Sequence, residues 1–89
     1  MGNLYLIDRP FGENGVNLAL RDAEALAVLI QDGVYLDVAS LLTHDRRVLA
    51  LRDDVDKRGL DERMANGVEL ISYSELVDLI VTHKVINFA

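Results

Sequence analysis

Apolar and polar positions divide this chain into short buried runs, tight turns and amphipathic stretches. The run 25–30 is apolar throughout and stops abruptly at Gln31, Asp32 and Gly33. A run that is apolar on both faces is typical of a strand covered by helices on each side, as in parallel α/β sheets. We therefore predict a buried strand, a turn in which Asp32 caps the next helix and Gly33 permits close backbone approach, and then a helix.

Further apolar runs predict strands at 4–7 and 48–51, and residues 68–71 are expected to make a fourth strand. Residues 85–88 fit either a short last strand or a frayed terminus. Apolar positions at steps of three and four residues predict helices between these runs. The residues with this spacing are Val16, Ala19, Leu20 and Ala23, which follow a loop containing Gly12 and Gly15, and then Val34, Val38, Leu41 and Leu42.

The second half of the chain carries helix-capping signals. Asp53 is expected to cap a short helix that Gly59 ends, and Asp61 another turn. Ser72 and Glu75 match the Ser-x-x-Glu capping box, so the last helix should run from about Tyr73 to His83. Its core-facing residues are predicted to be Leu76, Val77 and Ile80.

Strands that alternate with helices predict a three-layer α/β/α fold with a mostly parallel sheet of four to five strands, in a single domain over residues 1–89. The carboxyl ends of parallel strands meet at one edge of the sheet, where open α/β sheets usually bind ligands. The candidate ligand-binding residues at this edge are Arg9, Gln31, Asp32, Arg52, Ser72 and Tyr73.

Composition excludes several kinds of chemistry. The 89 residues include no cysteine, so this chain has no disulfide, thiolate metal site or persulfide of its own. The net charge of −6 disfavours direct binding to nucleic acid. No apolar run approaches the roughly 20 residues of a membrane-spanning helix, and no secretory signal is present, so we expect a cytoplasmic protein without membrane contact.

No catalytic residue, metal site or cofactor is predicted from the motifs. His44 and His83 are far apart and lack the spacing of a metal-binding pair, and His83 is better placed to interact with the carbonyl groups that end its helix. The aspartates 53, 54 and 56 fit a helix N-terminus better than acid–base chemistry. The glycines match neither the dinucleotide fingerprint nor the P-loop, and no serine lies in a nucleophile elbow.

Three segments in order carry a family resemblance: Val28–Val34 with the pattern LxxDGV, Leu49–Leu60 with L-x-x-D-x-x-x-R-G, and Ile71–Leu79 with Y-x-x-x-V-x-L. Together they resemble the DsrH/TusB family of sulfur-relay subunits. The resemblance implies a DsrE-like fold, a flavodoxin-like arrangement. It also implies a place beside homologous DsrE/DsrF-like (TusD/TusC-like) subunits that carry sulfur as a cysteine persulfide. In such relays sulfur passes toward thiolation of the tRNA wobble uridine or toward sulfite-forming enzymes.

Some DsrH proteins have a cysteine in the first helix, whereas residues 16–23 of this chain have none, and Phe88 lies near the place of the family's C-terminal tryptophan. The leading hypothesis is therefore a non-enzymatic subunit that completes a relay complex. Its interface is expected at Tyr35, at Phe88 and on the exposed sides of the second and last helices. The alternative is a free-standing homodimer that binds a small anion through Arg9, Arg52 and the helix N-termini after Asp32 and Ser72.

Overall fold

A computed structural model describes residues 2–9, 11–60 and 67–88. Strands and helices alternate along these residues, as the pattern of apolar runs predicts. The elements are β1 (Asn3–Ile7), α1 (Gly12–Arg21), β2 (Ala25–Leu29), a 3₁₀ helix (Gln31–Tyr35), α2 (Ala39–Thr43), β3 (Arg47–Leu51), α3 (Arg52–Lys57), β4 (Val68–Ile71), α4 (Tyr73–Thr82) and β5 (Lys84–Phe88).

All five strands pair in parallel, in the order β4-β3-β2-β1-β5. The α/β class and the parallel sheet are thus confirmed. Residues 85–88, for which the sequence left a strand or a frayed terminus open, lie in strand β5. This strand pairs with β1, with Val85 next to Leu4 and Ile86 next to Tyr5. The strand exits of the whole sheet consequently lie on one edge, which we call the carboxyl edge.

Strand order decides which face each helix covers. The steps β1 to β2, β2 to β3 and β3 to β4 all move in the same direction, so right-handed crossovers place α1, the 3₁₀ helix, α2 and α3 on one face. The step from β4 to β5 runs back across the sheet and places α4 on the other face. Two separate core clusters match this arrangement, one containing Val16, Leu41 and Val55 and the other containing Leu76.

The loop predicted around Gly12 and Gly15 is wrong, because both glycines lie in α1 and are buried. A Cβ atom at Gly15 would stand 3.0 Å from Cγ of Phe88, and one at Gly12 would overlap Cδ1 of Leu36. These glycines therefore allow α1 to pack closely on its neighbours, which a flexibility argument from the sequence alone misses.

The second helix also differs from its prediction, since a 3₁₀ helix and the short α2 replace one continuous helix. Its apolar stripe is nevertheless buried at Val34, Val38 and Leu41. The break has a local cause: the Asp37 carboxylate accepts a hydrogen bond of 3.0 Å from the backbone N–H of Ala39, an alternative to the helical pairing of that group.

Helix α4 begins as predicted, with the side chain of Ser72 and the backbone N–H of Glu75 in a reciprocal capping box. At its other end, Nδ1 of His83 lies 2.9 Å from the carbonyl oxygen of Leu79, which confirms the expected contact with the helix C-terminus. The predicted core face is wrong in part: Leu76 is buried, but Val77 is 54% and Ile80 38% exposed. No helix within the described residues is long and apolar enough to cross a membrane.

At the edge opposite the strand exits, the Asp22 carboxylate joins β1 to the end of α1. It accepts hydrogen bonds from Nδ2 of Asn3 (2.7 Å), the hydroxyl of Tyr5 (3.0 Å) and the backbone N–H of Glu24 (2.9 Å). The Asn3 amide, followed by the Glu24 N–H, holds the pKa of Asp22 below its usual value, and the charge of Arg46 acts in the same direction. Burial, with Asp22 as a hydrogen-bond partner, raises the pKa of the Tyr5 hydroxyl.

The Asp22 carboxylate should make the free energy of unfolding depend on pH. Because the folded-state pKa of Asp22 is depressed, its contribution is present above the unfolded-state pKa of about 3.9 and is lost as pH falls through the folded-state pKa. We expect the free energy of unfolding to fall less for Asp22→Asn than for the wild type between about pH 6 and pH 3. Urea unfolding at a series of pH values measures this, with Glu24→Gln as the control for loss of one neighbouring charge; equal slopes for Asp22→Asn and the wild type would contradict it.

Candidate functional site at the carboxyl edge

The exit of β1 is tied to the exit of β2 by the buried carboxylate of Asp8. Its Oδ1 atom accepts hydrogen bonds from the backbone N–H of Gly33 at 3.1 Å and from that of Arg9 at 2.7 Å. The residue is 8% exposed. A carboxylate that accepts backbone N–H groups at the start of a helix does the work of an N-terminal cap. Here the cap comes from another strand.

The exit of β2 is also tied to α3, through the buried carboxylate of Asp54. Its Oδ2 atom accepts a hydrogen bond of 2.7 Å from the backbone N–H of Gln31. Its Oδ1 atom lies 3.6 Å from Nη1 of Arg58, which also donates to the carbonyl oxygen of Asp54 at 3.1 Å. Asp54 was not among the residues predicted for this edge, and its position in the D-x-x-x-R pattern is the sequence signal that marks it.

The predicted cap by Asp32 is wrong. The 3₁₀ helix has Ile30 at its N-cap and no side-chain cap of its own. Gln31 has a φ of 48°, a left-handed conformation that is uncommon outside glycine. The carboxylate of Asp32 accepts a hydrogen bond of 3.1 Å from Nε of Arg58 instead, while the backbone N–H groups beside it bond to Asp8 and Asp54.

The backbone at Gly33 approaches a neighbouring strand too closely to leave room for a side chain, as the sequence predicts. A Cβ atom at this position would overlap the carbonyl oxygen of Ile7 and would stand 3.0 Å from Cα of Asp8. The same Ile7 carbonyl accepts a hydrogen bond of 3.0 Å from the backbone N–H of Ile30. The backbone of β1 therefore runs directly against the turn, and only glycine fits between them.

The structure contradicts the predicted cap at the start of α3 and confirms the predicted end of this helix. The prediction that Asp53 caps this helix is wrong, because α3 follows β3 directly with Leu51 at its N-cap, and Asp53 lies within the first turn. The prediction that Gly59 ends it is confirmed: Gly59 has a φ of 63°, and the N–H of Leu60 donates to the carbonyl of Val55 at 3.1 Å, as in a Schellman motif. The predicted cap by Asp61 lies outside the described residues.

The other predicted residues lie at several places. The guanidinium of Arg9 stands 5.7 Å from the centre of the exposed Tyr35 ring, a cation–π geometry. Arg52 is exposed at the start of α3, whereas Ser72 and Tyr73 begin α4 on the other face of the sheet. The ring of Phe88 is stacked on Tyr5 with centroids 6.2 Å apart and packs against the first core cluster. The roles proposed for these residues stay predictions.

Chemically, the carboxyl edge is a scaffold of carboxylates and backbone amides. Along the ranges 2–9, 11–60 and 67–88, no three histidine or acidic side chains lie close enough to hold a metal ion. No buried side-chain nitrogen or oxygen of these residues lacks a hydrogen-bond partner. The buried polar side-chain atoms at this edge are thus all hydrogen-bonded within the protein. The exposed groups of the edge include the pair Arg9–Tyr35 and the ring of Tyr73.

Comparison with solved structures supports the fold class. A crystal structure of the ychN protein from E. coli superposes with a TM-score of 0.83 over 99% of each chain, at 19% sequence identity. The five-stranded parallel sheet of this protein, with helices on both faces, therefore has a DsrE-like α/β fold.

Comparison with protein families identifies the chain more closely. Residues 10–86 match the model of the DsrH-like proteins, and the chain belongs to this family. It is 38% identical over 71 residues to the protein TusB of Cronobacter sakazakii, which covers 80% of this chain and 62% of that protein. It is 42% identical over 74 residues to the protein TusB of Pectobacterium atrosepticum, covering 73% of this chain and 74% of that protein. The chain thus spans less than two thirds of the Cronobacter protein.

Replacement of Gly33 should damage the edge through steric overlap with backbone. We expect Gly33→Ala to lower the free energy of unfolding by about 2–3 kcal/mol, because Ile7 and Asp8 must move away from the new methyl group. Gly12→Ala is the matched control, since its Cβ would meet side-chain atoms and no backbone: the end of the flexible Leu36 side chain and, at 3.2 Å, Cγ2 of Ile7. A helical alanine is also favoured over glycine. In urea unfolding, Gly12→Ala should stay within about 1 kcal/mol of the wild type; equal losses in both variants would refute the backbone explanation.

Proposed function

We propose that this chain is a non-catalytic subunit of a cytoplasmic sulfur-relay complex. Its membership of the DsrH-like family is the observation that carries the proposal. Its homologous partners would carry sulfur as a cysteine persulfide. Transfer occurs when an acceptor thiolate attacks the outer sulfur of the donor persulfide, which releases the donor thiolate. With no cysteine among its 89 residues, this chain supplies neither thiolate, so its contribution is made through an interface.

The final acceptor in this proposal is the wobble uridine of certain tRNAs, as the similarity to TusB proteins suggests. The net charge of −6 makes this chain a poor ligand for RNA, since binding to a polyanion depends on Lys and Arg. Other subunits would therefore hold the RNA. This chain would help to build the complex and to enclose the persulfide of its partner.

The alternative, an anion site at the carboxyl edge, is less well supported by the local geometry. Anions bind helix N-termini through free backbone N–H groups. At this edge the N–H groups of Gln31 and Gly33 already donate to carboxylates, and the capping box of Ser72 and Glu75 occupies the start of α4. The carboxylates of Asp8 and Asp54 stand where an anionic ligand would otherwise be bound, and they repel one that approaches.

The relay proposal is tested by capture of the tagged chain from its own cells under mild, reductant-free conditions, followed by native mass spectrometry. We expect stoichiometric recovery of cysteine-bearing subunits of the same fold. One of these should carry an adduct of about 32 Da, the mass of one sulfur atom, which dithiothreitol removes. The mass of the present chain should be unchanged by dithiothreitol, which serves as an internal control.

A second readout concerns the acceptor. Deletion of the gene should reduce the 2-thiouridine content of tRNA, measured by nucleoside mass spectrometry, and the wild-type gene should restore it. Recovery of a homodimer alone, at native abundance and low salt, would contradict the relay proposal. A normal 2-thiouridine content after deletion, with the complex present, would contradict the tRNA branch and point to another acceptor.

The anion alternative makes an opposite prediction about thermal stability. If the carboxyl edge bound sulfate or phosphate, either ion would raise Tm, and the double variant Arg9→Ala/Arg52→Ala would lose that rise. Because the amide donors are already paired, we expect the wild type and the variant to respond equally. Differential scanning fluorimetry in phosphate, sulfate and chloride at matched ionic strength measures this, and a rise specific to the wild type would favour the alternative.

A further inference from the structure

We draw no further inference here: the strongest candidate, the exposed apolar patch on one flank of α4 formed by Tyr73, Val77, Ile80 and Val81, carries none because nothing in the structure shows what covers it.

Discussion

The arrangement of the carboxyl edge depends on two backbone N–H groups that follow β2, those of Gln31 and Gly33. Gln31 turns the chain through a left-handed conformation, and Gly33 runs against the carbonyl of Ile7 with no room for a side chain. An N–H group that is shielded from water needs an acceptor, because an unpaired one costs about 1–3 kcal/mol. The N–H of Gly33 donates to the carbonyl of Ile30 and to Asp8, which follows β1, and the N–H of Gln31 donates to Asp54 of α3, so three elements are fixed to one another at a single turn.

This constraint explains why the family patterns lie where they do. LxxDGV places Asp32 and Gly33 at the turn. L-x-x-D-x-x-x-R-G places Asp54 on α3, the helix that faces the turn, and Arg58 and Gly59 directly after the last residue of that helix. Arg58 bonds to both Asp32 and Asp54, while Gly59 ends α3 one residue after that arginine. The two patterns are therefore halves of one structural contact. They hold the strand exits in place, and no transfer chemistry is needed to account for them.

Most of the sheet could be predicted from the sequence because buried parallel strands leave a simple mark. Unbroken apolar runs located β2 and β3, and a Ser-x-x-Glu pattern located the start of α4, since both signals are local. The N–H of Gly33 has one local acceptor, the carbonyl of Ile30, but the carboxylates that accept from Gln31 and Gly33 are distant in sequence. Asp32 is adjacent and has the chemistry of a cap, but tertiary contacts brought Asp8 and Asp54 to the amides instead. Sequence spacing predicts which groups need partners, not which distant residue reaches them.

The same limit applies to α4, and there it connects fold to function. Helical spacing places the apolar residues Leu76, Val77 and Ile80 on one side of α4. The number of helices on that face of the sheet decides how much of this apolar stripe is covered. Because α4 is the one described helix on its side of the sheet, Leu76 is buried while Val77 and Ile80 stay open. A domain of 89 residues buries a limited fraction of its surface, and a partner often completes its core. The open flank of α4 and the hydrogen-bonded carboxyl edge are the two structural features on which the proposed assembly role depends.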